Sequence, residues 1–222
     1  MTTTSRLRRV CSVKGKAPVS RKEKAAATRA RMVDAAYEHF CELGFRATTM
    51  DAIAARAGVA VQTLYFAFHT KDELLQAVHD WAVLGDDPLP PPLQQWYLDA
   101  AAEPDAGRAV RLMVAGISTI LARVAPMVPV FDAVSQDPAG AVHLRSEELR
   151  HAGYADLLAQ LESKAPFRSG LDREHAIDAL FVLVGPPIYR ALVIDRGWAP
   201  TEWIDWTVAV LRRDLFGVGS AD

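Results

Sequence analysis

The chain has 222 residues, half of them hydrophobic, with two cysteines and a formal net charge of −2, so one or two soluble domains with a substantial core are within reach. Cys11 and Cys41 supply neither a disulfide framework nor a closely spaced zinc pair, which points to a reducing compartment. The most apolar run, residues 179–189, is too short to cross a bilayer, and Arg6, Arg8 and Arg9 near the start have no apolar stretch behind them; neither a membrane partner nor a secretory signal is expected, and the reading is cytoplasmic.

Charge divides the chain unevenly. Residues 1–81 hold 13 Lys/Arg against 8 Asp/Glu and residues 82–222 hold 12 against 19, so only the first third suits a polyanion. Residues 1–19 mix Thr, Ser, Gly and Pro with basic side chains and read as a disordered basic arm. Ser20 and Glu23 have the spacing of a capping box, opening a helix that runs to about Leu43 on a stripe of Val33, Ala36, Tyr37, Phe40 and Leu43, with Gly44 placed to end it. Thr48 and Asp51 repeat that spacing for a second helix. Met50, Ile53, Ala54 and Ala57 then recur at helical spacing before the tight turn Ala57-Gly58-Val59, and a short helix over residues 61–66 follows. Two short helices about such a turn make a helix-turn-helix, whose second helix faces outward to read bases in double-stranded DNA. A fourth helix is expected over residues 71–84.

Four prolines in residues 85–93 mark a domain boundary. Helices are expected beyond it over residues 93–102, 105–124, 127–135, 139–163, 172–195 and 201–216, the fifth kinked or broken at Gly185-Pro186-Pro187. No stretch alternates with period two. The fold class is all-α: an arm (1–19), a DNA-binding domain with its fourth helix as link (20–84), and a domain for effector binding and dimerisation (85–222).

Thr48-Thr49, Ile53-Ala54, Ala57-Gly58-Val59, Thr63-Leu64-Tyr65, Phe68 and Lys71-Asp72-Glu73-Leu74 stand in an order and spacing that resembles the tetracycline-repressor (TetR) family of bacterial transcriptional regulators, over roughly residues 21–84. The resemblance implies a three-helix DNA-binding domain, an all-helical effector domain and a homodimer built on a four-helix bundle from the last two helices of each subunit. The chain departs from that pattern at three positions. Ala60 stands where a Ser caps the recognition helix, Val61 where a polar residue is common and Ala67 where a His or Tyr reaches phosphate, so the motif's own phosphate grip is thin. The arm either supplies that grip along the DNA backbone or adjacent minor groove, or is a solvated tail.

Within the motif, Gln62 and Thr63 are the candidate base readers, because Gln pairs with adenine and Thr bonds either edge or packs on the thymine methyl. Tyr65, Lys71, Thr48 and Thr49 are candidate phosphate contacts. A two-fold dimer makes the operator a palindrome. In the C-terminal domain, Met113, Ile117, Phe131, Tyr154, Phe181 and Tyr189 are candidate walls of an apolar effector pocket, with His151 as a polar anchor beside Glu147, although plain core packing accounts for the same stripes. Ile188, Leu192, Trp203, Trp206 and Val210 are candidates for the dimer surface. No Gly-rich phosphate loop, His-Glu-x-x-His, nucleophile elbow or Cys/His cluster occurs, so the reading is a regulator, a repressor released by a small-molecule effector, and not an enzyme; no cofactor or metal is expected. A ligand-independent architectural DNA-binding protein is the alternative.

Overall fold

The computed structural model describes residues 20–86 and 88–217, which are helical with no strand among them; the basic arm expected at 1–19 lies outside the described residues. Helix α1 (Arg21–Ala47) starts at the capping box read from the sequence: Ser20 Oγ accepts from the Glu23 amide at 3.1 Å, and the Glu23 carboxylate accepts from the Ser20 amide at 2.7 Å. Its regular part stops where expected, at Gly44 (φ 78°, ψ 164°). Helix α2 (Met50–Ala57) is capped one residue later than expected. Thr49 Oγ1 accepts from the Ala52 amide, because the Thr48 hydroxyl is drawn back to donate to the carbonyls of Gly44 (2.8 Å) and His39 (3.1 Å). Gly58, at φ 67° and ψ 40°, makes the left-handed turn between α2 and α3 (Val61–Ala67), a conformation in which a side chain is strained. Helix α4 (Lys71–Leu84) follows, with Thr70 as its cap.

After the proline-rich stretch come α5 (Gln95–Ala102), α6 (Ala106–Val124), α7 (Val128–Val134), α8 (Ala141–Glu162), α9 (Arg173–Leu183), α10 (Pro186–Tyr189) and α11 (Pro200–Phe216). The break between α9 and α10 falls at Gly185-Pro186-Pro187, since proline cannot donate to the carbonyl a turn behind it. Two α8 side chains bond carbonyls at this break: Arg150 Nη1 donates to Phe181 O at 2.7 Å and the Tyr154 hydroxyl to Val184 O at 2.6 Å. Residues 106–134 form the run long and apolar enough to cross a membrane by composition, in place of 179–189, but 56% of its most apolar stretch is buried inside the protein. Its apolar surface is spent on the protein interior.

Two hydrophobic clusters hold the helices. One gathers Val110, Met113, Ile117, Tyr154, Leu158, Ile177, Leu180, Tyr189, Trp203 and Leu211 from α6 and α8–α11. The other joins Met32, Ala36 and Phe40 of α1, Ile53 of α2, Leu64 of α3 and Leu74, Leu75 and Val78 of α4 to Met127, Val130, Phe131 and Val134, so α7 completes the core beneath the helix-turn-helix. On α8 the buried side is Tyr154, Leu157, Leu158 and Leu161; Leu144, expected on the same stripe, is exposed.

Candidate nucleic-acid interface

Leu64 decides how α3 faces. Its side chain is fully buried in the N-terminal core cluster, which leaves Gln62, Thr63, Tyr65 and Phe66 on the outer side of a seven-residue helix. Gln62 and Thr63 make no side-chain hydrogen bond among the described residues and keep their donors and acceptors for a partner. Tyr65 is about half exposed, with 47% of its surface accessible. Ala60 carries no capping hydrogen bond, so the amides opening α3 lack a side-chain acceptor.

Two of the candidate phosphate contacts, Thr48 and Lys71, sit differently from the sequence expectation, and Thr49 does not. Thr48 is buried and its hydroxyl is occupied by two carbonyls, so it closes the turn after α1 instead of facing DNA. Lys71 Nζ donates to Phe45 O at 2.7 Å and Thr48 O at 2.9 Å and lies 4.3 Å from the Phe45 ring centroid. It locks the start of α4 onto the α1–α2 turn, and burial holds its ammonium below the ordinary lysine value. Thr49 is exposed; its oxygen accepts from the Ala52 amide while its hydroxyl proton stays available.

Arg29 and Arg31 were missed because exposed residues leave no mark in apolar periodicity. Arg29 Nη1 donates to Ala67 O at 3.3 Å with its guanidinium 4.1 Å from the Phe68 ring centroid, and Arg31 Nε donates to Ala57 O at 3.4 Å. These two side chains brace the C-terminal ends of α3 and α2, where a cation suits the helix dipole. Arg56 is taken by Glu42 at 3.0 and 3.2 Å and Arg46 by Asp137 at 3.2 Å. Among the described residues, the exposed cations of α1 without a carboxylate partner are therefore Arg21, Lys22, Lys24, Arg29 and Arg31, all on its first half.

The family model for bacterial regulatory proteins of the tetR family matches residues 32–78. Those residues are a tetR-family regulatory domain. The HTH-type transcriptional regulator TtgR of Pseudomonas putida is 42% identical over 59 residues, which is 27% of this chain and 28% of that regulator. SrpR of Pseudomonas putida is 47% identical over 51 residues, covering 23% of this chain and 24% of SrpR. The chain thus spans about a quarter of the length of these relatives. Solved structures extend the likeness of fold. FadR from Bacillus subtilis, in complex with stearoyl-CoA, superposes with a TM-score of 0.66 at 17% identity over 83% of this chain and 98% of FadR. NalD from Pseudomonas aeruginosa, the secondary repressor of the MexAB-OprM multidrug efflux pump, gives 0.64 at 20% identity over 87% of this chain and 98% of NalD.

Outside the tetR-family domain the remaining candidates separate. Met113, Ile117, Tyr154 and Tyr189 share the C-terminal cluster, with Phe181 packed against it. Phe131 belongs to the other cluster, below the tetR-family domain, and so is no wall of a pocket with them. The Tyr154 hydroxyl is used by Val184 O, and Arg150 takes Glu147 at 3.0 and 2.5 Å. His151 instead faces Asp178 at 3.5 Å, with 44% of its side chain exposed, a surface pair in place of an internal anchor. A cavity of about 300 Å³ lies elsewhere, between Leu84, Leu89, Gln94, Trp96, Thr119 and Arg123 at the end of α4. Trp203 is fully buried with its ring edge-on to Tyr189, 4.9 Å between centroids, so it anchors the subunit core and adds no area to a dimer face. Trp206 is exposed at 36%, and Ile188, Leu192 and Val210 are half-buried.

Proposed function

We propose that this chain is a transcriptional regulator, a repressor that binds a palindromic DNA operator as a homodimer and is released by a small, largely apolar ligand. The observation that carries the reading is the outward face of α3, where Gln62 and Thr63 are exposed and unpaired while Leu64 is fixed in the core. Such a helix fits the major groove, and the exposed cations of α1 suit the flanking phosphates. Trp206, Ile188, Leu192 and Val210 keep apolar surface on the last helices for a second subunit. A regulator of this kind works in the cytoplasm.

The FadR structure in complex with stearoyl-CoA supports an effector, which this reading assigns to the helical C-terminal part. A ligand releases DNA only if it prefers the form of the dimer that binds DNA poorly. A second reading, a DNA-binding protein without an effector, is favoured by one observation: Met113, Ile117, Tyr154 and Tyr189 are packed to 6% exposure or less. Selection of bound fragments from random duplexes at low ionic strength, repeated with metabolite mixtures present, tests both. Recovery of a palindrome that the mixtures displace is the expected result. A palindrome that no mixture displaces favours the second reading, and failure to retain any duplex overturns both.

A further inference from the structure

Phe66, on the short helix α3, has 87% of its surface exposed, more than any other large apolar side chain among the described residues. Successive residues of an α-helix are turned by about 100°, so Phe66, two positions after Leu64, points almost directly away from the buried side. It falls between Gln62 and Thr63 on the helical wheel, being four and three residues after them. The centre of the outward face of α3 is therefore an apolar ring flanked by two hydrogen-bonding side chains. No packing within the subunit repays that exposure.

The major-groove edges of the bases are polar except for one group, the 5-methyl of thymine. We propose that Phe66 is a specificity-determining residue that selects a thymine in each half-site by packing its ring on that methyl. The inference rests on the operator-binding reading above and deepens it. The neighbouring surface suits the same partner: Arg29 braces the end of α3 through Ala67 O, and exposed Arg21, Lys22 and Lys24 continue along α1. Gln62 then supplies hydrogen-bond readout on one side of the ring, while Phe66 supplies an apolar contact that rejects cytosine for want of the methyl.

The test takes a duplex selected by the full-length protein and replaces its thymines by uracil one symmetric pair at a time, which removes the methyl and leaves base pairing intact. Wild type is expected to lose about fourfold in affinity per half-site at one such pair, the effect of one methyl left unburied. Phe66→Ala should bind the thymine and uracil duplexes equally, Phe66→Leu should keep part of the difference, and Thr63→Ser should keep all of it. Placing 5-methylcytosine at the sensitive position should recover part of the lost affinity only when Phe66 is present. The proposal is overturned if no thymine methyl matters to wild type, if Phe66→Ala shows the wild-type difference, or if Thr63→Ser alone abolishes it. Failure of wild type to bind any duplex would overturn operator binding itself, whereas methyl-insensitive binding overturns only the role of Phe66.

Discussion

Tyr37 on α1 donates its phenolic hydrogen to the main-chain carbonyl of Arg123, in the last turn of α6, at 3.0 Å. The Arg123 side chain in turn donates from Nε to Ala82 O near the end of α4 at 2.9 Å. One residue of the C-terminal part thus touches both α1 and α4, two of the four N-terminal helices. Burial raises the Tyr37 phenol well above its ordinary value, which keeps the donated proton in place. Tyr37→Phe should cost about 1–2 kcal/mol of stability, because the carbonyl loses its donor in a half-buried site. It should also reduce the ratio of operator affinities without and with an effector. Denaturant melts and anisotropy titrations check the two effects, and an unchanged ratio would show that the contact carries no coupling.

Lys71→Ala should weaken binding to every duplex without altering the slope of log affinity against log salt. The reason is that its ammonium holds Phe45 O and Thr48 O and touches no phosphate in this geometry. Loss of two charge-assisted hydrogen bonds at a partly exposed site should cost about 1–2 kcal/mol of stability. A slope reduced by about one counterion would restore the phosphate role read from the sequence.

Ala60→Ser supplies the missing acceptor at the start of α3, where the backbone already has the extended geometry of a cap (φ −67°, ψ 143°). A gain of about 1 kcal/mol, or about 2–4 °C in Tm, is expected. An unchanged melting curve would mean that the α3 amides already find equivalent partners in water.

His79 is buried on α4, with its ring edge-on to Phe131, on which His143 is stacked. Burial lowers its pKa from the ordinary 6.5, His143 acts in the same direction, and Asp80 and, more weakly, Glu147 oppose. A histidine whose folded value is depressed takes its proton more readily in the unfolded chain. Its contribution to stability is therefore complete above the unfolded value and is lost as pH falls from there through the folded value. Urea midpoints should drop as pH falls below about 6.5, and His79→Leu should flatten that dependence. Equal pH dependence in the two proteins would assign it to other groups.

A fragment ending at residue 84 should fail to show a cooperative unfolding transition. It lacks Met127, Val130, Phe131 and Val134, which fill the core between α1 and α4. A cooperative melt by circular dichroism would show that the four N-terminal helices close their own core.

The helix-turn-helix was legible because its signals are local. The Ser20/Glu23 box, the left-handed turn at Gly58, the span of α4 and the break at Gly185-Pro186-Pro187 all depend on hydrogen bonds and backbone angles within a few residues. Long-range partners were not legible. Periodicity gives the face a side chain lies on but not what meets it, so Thr48 and Lys71 looked free when distant carbonyls had already claimed them. Trp203 looked like a surface anchor when Tyr189 covers it, and Phe66 was overlooked because spacing places it on the outer face of α3 without telling whether another helix covers it.

The sequence by itself determined an all-α chain with an outward reading helix behind a glycine turn, since those follow from backbone geometry and the alternation of apolar and polar residues. Only the tertiary structure decided that α7 completes the core under that helix, that Lys71 is a brace and that an aromatic ring stands at the centre of the reading face. These are contacts between residues far apart in the chain, and their energies depend on which groups burial brings within reach.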